Sequence, residues 1–366
     1  MADGAIADPA PMPAMSASLG ANPDPLSLEG GPLGKIYITG ALTGLGYWQS
    51  EPVPSDRDSR IDITNGQVFV QKTDGWLQFY VQAGAYSLPS LGTPYIKASD
   101  MPEKTYGVVP QAFVKLALFD GFSVQAGKLP TLIGDEYTFT FENMNIARGL
   151  LWNQEPAVSR GVQANYATGP LTFALSLNDG FYSNVYNWVS GSAAWTIDSS
   201  NSVSFIGGGN FGRTHASNFA TPMAQNNGNI FNLIYTHAGG PWTISPYLQY
   251  ASVPSDASLG IAHSASTYGG AVLVGYAFDE NWKLAARGEY IKSTGSFTNG
   301  APSLLYGPGS DAWSLTITPT YQKGIFFARA EGSYTGIGHS AAGFEFGRNF
   351  DKSSQARLML EAGVLF

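Results

Sequence analysis

The connectors between strands constrain this chain more than any other feature of it. From Lys35 onward, about sixteen segments alternate apolar with polar side chains, near residues 35–48, 60–72, 76–88, 107–118, 121–129, 158–167, 171–179, 187–197, 202–212, 228–238, 241–252, 265–278, 282–293, 311–322, 325–335 and 354–366. After every second segment the chain turns within a few residues: TDG, FDG, TG, DSSN, AGG, FDEN and QKG. The others run into long polar loops such as SEPVPSDRDS, PSLGTPYIKASDMPEKTY and TGIGHSAAGFEFGRNFDKS. Short turns at one end and long loops at the other are the asymmetry of outer-membrane barrels, with short periplasmic turns and long extracellular loops. A soluble sandwich gives no reason for it. The expected fold is all-β: a transmembrane antiparallel up-and-down β-barrel of about 16 strands.

The strand faces agree. A strand points successive side chains to opposite sides. GWLQFYVQAGAY sets Leu77, Phe79, Val81, Ala83 and Ala85 against Gln78, Tyr80, Gln82 and Tyr86. In RLMLEAGVLF, Leu358, Leu360, Ala362, Val364 and Phe366 share the face expected to meet lipid, leaving Arg357 and Glu361 for an aqueous lumen. In ITNGQVFV the apolar phase moves from Ile61 and Ile63 to Val68 and Val70, which predicts a bulge near Gly66. Most segments run 9–13 residues, close to the roughly 9–11 a tilted strand needs to cross a bilayer. On the apolar face, Tyr166, Trp195, Tyr235, Trp242, Tyr276, Trp282, Tyr321 and Phe366 fall by the short turns, and Tyr250, Tyr268, Tyr290, Trp313 and Tyr334 toward the long loops. Two aromatic belts match the interfacial girdles of such barrels.

Composition excludes several classes. No stretch approaches the roughly 18 apolar residues of a spanning helix. There are no cysteines, which removes disulfides and thiolate metal sites. A formal charge of -8 argues against nucleic acid as a partner. Residues 1–33, rich in Pro, Gly, Ser and Ala, read as a flexible periplasmic tail, and residues 34–366 as the barrel. ADGAIADPAP after Met1 has neither a basic nor an apolar leader region, so the expectation is a mature exported chain restarted at a methionine.

The stretch GKLPTLIGDEYTFTFENMNIARGLLWNQEPAVSRGVQANYATGPLTFALSLNDGF resembles the OmpL-like β-barrel porins of Gram-negative bacteria. The matching residues are Gly127, Lys128, Leu129 and Pro130, then Asn145, Arg148 and Gly149, then Glu155, Pro156, Gly161 and Val162. Upstream, NGQVFVQKTDGWLQFYVQAGAY is similar to the first hairpin of that family, and the terminal aromatic is similar to the assembly signal of outer-membrane barrels. The resemblance implies a channel and supplies no substrate and no catalytic residues.

A barrel of 16–18 strands leaves an aqueous channel, so an open lumen is expected, with passive permeation of small hydrophilic solutes or ions. The candidate constriction is the third long loop, 130–156, carrying Asp135, Glu136, Glu142 and Glu155 with Arg148. Loops of that length are usually functional. Lys115, Arg287, Arg329 and Arg357 come from lumen-facing strand positions, so an acidic loop is expected to face a basic wall. Two blander readings stand beside it. Arg329, Glu331, Arg357 and Glu361 could pair across the ladder as structural support, and Asp135 and Glu136 could lie on a solvated outer loop. Tyr37, Tyr80, Tyr86 and Tyr247 could line a sugar track or pack beneath the loop. A sugar- or anion-selective channel and a closed barrel serving as adhesin or anchor remain alternatives. His215, His237, His263 and His339 lack ligand-like spacing, and no His shares a lipid-facing patch with a Ser, so neither metal, cofactor nor enzyme activity is expected. The expected partners are outer-membrane lipid, lipopolysaccharide and, by analogy, two further copies in a homotrimer, with both chain ends in the periplasm.

Overall fold

The computed structural model describes residues 18–340 and 343–366. The strands are β1 (Leu26–Glu29), β2 (Lys35–Gln49), β3 (Ser59–Lys72), β4 (Leu77–Tyr86), β5 (Gln111–Phe119), β6 (Phe122–Pro130), β7 (Val158–Thr168), β8 (Leu171–Asn178) and β9 (Trp188–Thr196). They continue with β10 (Asn201–Asn210), β11 (Asn229–Gly239), β12 (Trp242–Val253), β13 (Ala265–Ala277), β14 (Trp282–Ser293), β15 (Asp311–Lys323), β16 (Phe326–Gly338) and β17 (Ser354–Leu365). Strands β2 to β17 pair in sequence order, each antiparallel to the next, and β17 pairs with β2. The sheet is therefore a closed antiparallel barrel of sixteen strands. Closure satisfies the backbone groups that an open edge would strand in hydrocarbon.

The seam has a packing reason. Gly40 and Phe366 exchange both backbone hydrogen bonds, at 2.8 and 3.0 Å, and the Phe366 ring lies where a β-carbon on residue 40 would sit. Only glycine leaves that space. Gly84 at φ 143 and Gly127 at φ 140 adopt backbone that other residues avoid, each with a neighbouring strand's carbonyl where a side chain would begin.

Outward-facing residues are exposed and inward-facing ones buried, as the alternation requires. Leu42, Ile63, Val81, Leu175, Leu248, Leu315 and Leu360 form the apolar band. Around it, Trp242 packs edge-on to Tyr276 at 4.6 Å and Trp282 against Tyr321 at 4.9 Å by the short turns. Register brings Tyr250 opposite Tyr268, and Tyr290 opposite Trp313, toward the loops.

Two local expectations need correcting. The bulge falls at Thr64, not Gly66: Thr43 faces Asn65 while Gly44 faces Ile63. Thr64 and Asn65 consequently both turn inward and are buried. Within the expected tail, Leu26–Glu29 forms a strand on the first residues of β2, and Ser18 and Leu19 are buried. Residues 1–17 lie outside the described residues.

Gly40→Val is expected to overpack the seam by about 1–3 kcal/mol. Heat-modifiable gel mobility checks it: a smaller folded fraction is expected than in wild type, and the double variant with Phe366→Ala should recover part of the loss.

Candidate functional site

An irregular segment inside a barrel has backbone donors and acceptors that no ladder serves, and each must find a partner. The chain between Pro130 and Val158 runs inside the wall, and strand side chains supply those partners. Glu331 accepts from the backbone N–H of Ile146 and Ala147 at 2.5 and 3.0 Å. Glu289 accepts from Leu150 N–H at 2.6 Å, and Gln249 donates to Leu151 O at 3.0 Å. Arg329 donates to Thr140 O and Asn143 O at 2.6 and 2.9 Å. Arg287 donates to Ala147 O at 2.8 Å. Asn65, turned inward by the bulge, donates to Thr140 Oγ1 at 2.7 Å, and that hydroxyl donates to Glu361 at 2.7 Å.

Direct ion pairs lock the same contact. Arg287 Nη1 reaches Glu136 Oε1 at 2.5 Å and its Nε lies 3.2 Å from Glu289. Arg329 and Glu361, opposite each other in the register, pair at 2.6 Å. All five side chains are buried. Buried pairs add little net stability, but removing one partner leaves an uncompensated charge costing roughly 3–5 kcal/mol. Their effect is to hold the segment in one place.

The second long segment, 87–110, is docked on it. Leu91 N–H donates to Arg148 O at 2.9 Å and Arg148 N–H to Pro89 O at 3.0 Å, a short parallel bridge. Arg357 donates to Ser90 O and Thr93 O at 2.6 and 2.5 Å. Asp62 accepts from Tyr95 OH and Ala98 N–H, both at 3.0 Å.

The sequence-derived residues thus fall in different places. Glu136, Arg287 and Arg329 meet at the contact between the 130–158 segment and strands β14 to β17. Arg357 faces the 87–110 segment. Arg148 is fully buried between the two segments, its guanidinium 5.1 Å from the Trp152 ring, and burial lowers it to about 10. Lys115 stands apart on β5, opposite Gln78 and Gln125. Asp135 and Glu142 line a cavity of about 230 Å³ with Gln111, Thr131, Gly134 and Tyr137. Of the four pairing candidates, Arg329 and Glu361 do bond across the ladder, whereas Glu331 and Arg357 turn to backbone of the inward segments. Tyr80, Tyr86 and Tyr247 are buried, with Tyr86 edge-on to Phe139 at 5.3 Å.

Sequence reasoning missed Glu289 and the inward course of 87–110. The signal for Glu289 was present: it lies two residues from Arg287 on the same face of KLAARGEY.

Burial raises all four carboxyls of the inward segment, Glu136 to about 7 against the opposing charge of Arg287. Asp135 rises to about 6, Ser245 opposing; Glu142 rises to about 8, against the opposing bond from Phe139 N–H; Glu155 rises well above its ordinary range. A carboxyl raised in the folded state binds protons more tightly there than in the unfolded chain, so its effect on stability falls as pH rises. For Glu142 the window runs from an unfolded value near 4.3 to about 8. The heat-modification midpoint is expected to decline as pH rises from about 4 to about 8 and to level off above that, and Glu142→Gln is expected to flatten the profile.

A family model described as "Putative beta-barrel porin-2, OmpL-like" matches residues 35–366. Among solved structures, the chain is similar to OmpT of Vibrio cholerae in its trimer form (13% identity, TM-score 0.60, covering 90% of this chain and 99% of that one). It is also similar to the outer membrane channel DcaP of Acinetobacter baumannii (11%, TM-score 0.59, 90% and 97%). A third likeness is to Salmonella typhi OmpF in complex with daunomycin (13%, TM-score 0.58, 93% and 100%). At these identities the likeness establishes the fold. A comparison with curated proteins found no match.

Proposed function

The chain belongs to the OmpL-like β-barrel porin-2 family, an outer-membrane porin family, and we propose that it is a passive channel for small hydrophilic solutes, narrowed by loop 130–156. One observation carries this reading: the loop is fixed to the lumen wall by paired charges and backbone bonds, the arrangement a permanent constriction requires. The charges at the contact of loop and wall are Glu136, Arg287 and Arg329. Asp135, Glu142 and Arg148 lie within the loop's own packing, Arg357 holds the 87–110 segment and Lys115 stands apart on β5. Arg287 and Glu136 lie in direct contact, so an ion passes beside the pair and not between separated walls of opposite sign. Sequestered in this way, the strand arginines give modest selectivity.

The filling of the lumen favours a second reading. Trp188, Tyr247, Arg148 and Arg287, all inside the barrel, are fully buried. A closed barrel acting through its outer loops, as adhesin or anchor, is consistent with that density. We infer that the short turns and both chain ends face the periplasm, with the belts at lipid and lipopolysaccharide headgroups. A homotrimer is the proposed assembly, as in the trimer form of the Vibrio cholerae OmpT structure.

Planar-bilayer recording separates the readings. Stable ohmic steps are expected from the wild-type chain, and Glu331→Ala, which frees two loop amides, is expected to give larger and noisier steps. No steps at any voltage in either protein would favour the closed barrel. Arg287→Gln is expected to shift the reversal potential in a salt gradient toward cations, whereas an unchanged potential would remove Arg287 from the constriction.

A further inference from the structure

We propose that residues Ser18–Gly20 form a second constriction at the short-turn mouth of the lumen, clamped by Gln322, which leaves a passage on the opposite side suited to small uncharged polar solutes. The inference rests on the channel reading above and concerns a different part of the wall.

The clamp is a paired amide contact. Gly20 N–H donates to Gln322 Oε1 at 2.7 Å, and Gln322 Nε2 donates back to Gly20 O at 2.9 Å. Gln322 shares its strand face with Ser314, Thr316, Thr318 and Thr320, all buried within the lumen. One side chain thus satisfies both backbone polar groups of Gly20, in a segment that has no strand or helix of its own.

The wall beneath the segment is built to receive it. Leu19, only 3% exposed, belongs to one apolar cluster with Ala41, Phe327 and Leu365. Those three occupy inward positions near the short turns, where a water-filled lumen calls for polar side chains. Apolar side chains there are at ease only when covered, and Leu19 is buried in the same cluster. The route in is also defined. Strand β1 runs antiparallel to the start of β2, with Leu26 opposite Ile38 and Glu29 opposite Lys35. Going backward along the chain, β1 therefore leads toward the barrel. An Asn22–Asp24 turn, with two 3.1 Å hydrogen bonds, then precedes the clamped residues.

Across the lumen the wall is different. Toward the short-turn ends of β7 and β9 to β12, the inward residues Asn165, Ser192, Ser202, Ser204, Thr236 and Thr243 are only half-buried. They carry amides and hydroxyls and no formal charge. A passage along them pairs with hydroxyls or amides of a neutral solute, with fixed charge only at its borders, Lys115 on β5 and Lys283 on β14. The tail segment, by filling one side of the mouth, confines solute to that neutral side.

Three proteins test this by single-channel recording: the full chain, a variant lacking residues 1–22, and Gln322→Leu. The deletion should raise conductance about twofold by widening the mouth, and Gln322→Leu should raise it by less; equal conductance in all three overturns the proposal. If none conducts, the channel reading fails, and the position of the segment is decided separately. The chain has no cysteine, so Gly20→Cys with Thr320→Cys gives one reactive pair and leaves the clamp side chain in place. A short bifunctional thiol reagent should join the pair in the folded barrel but not after heat denaturation. Lack of any link in the folded form overturns the placement whatever the recordings show.

Discussion

Backbone that leaves the sheet and enters the lumen must be hydrogen-bonded there, and this requirement organises the interior. The 130–158 and 87–110 segments are held by side chains on the strands, and the donors and acceptors are mostly charged. Charge-assisted bonds are shorter and stronger than neutral ones, and a guanidinium reaches two carbonyls at once, as Arg329 does with Thr140 and Asn143. Two of the clamps also carry a counter-charge, Glu289 beside Arg287 and Arg329 beside Glu361. Lumen charge thus acts first on protein backbone and only then on solute.

That ordering explains how far the sequence could be read. The strands were legible because a two-sided environment, lipid outside and polar interior inside, imposes strict alternation. Predicted and observed strand bounds differ by four residues at most, at Gln111, where the Val108 and Val109 side of the segment belongs to the incoming loop. The belts were legible for the same reason. The bulge was seen as a change of phase but misplaced by two residues, because Gly66 looks like the weak point and the extra residue is Thr64. Phase locates a bulge only to the few residues across which it changes.

The site was legible in part. Strand position pointed to Arg287, Arg329 and Arg357, since charges on the polar face of a strand are sparse in this chain, and the length of the third loop pointed to Glu136. Their partners were not, because Ile146, Ala147, Ser90 and Thr93 take part through backbone groups that every residue possesses. Glu331 illustrates the difficulty: its neighbours in sequence suggest a cross-strand pair, yet its oxygens go to two amides of a distant loop. Nor does periodicity reach Leu19 and Gly20, whose placement depends on a single glutamine some three hundred positions away.

The seam between β2 and β17 carries a kinetic consequence. Ala41 meets Leu365, so the ring is joined by the contact with nearly the greatest separation along the chain. Closing a loop of that size costs only slightly more entropy than closing one half as long, since the cost grows with the logarithm of length. Search time grows much faster. Until the two ends meet, both flanking strands show unpaired ladders to whatever surrounds them, and an unclosed intermediate is a template for addition of foreign strands. A side-chain-free position facing a large ring gives that last encounter a shape of its own, so that the correct partner is told from the many other edges by fit as well as by hydrogen bonds.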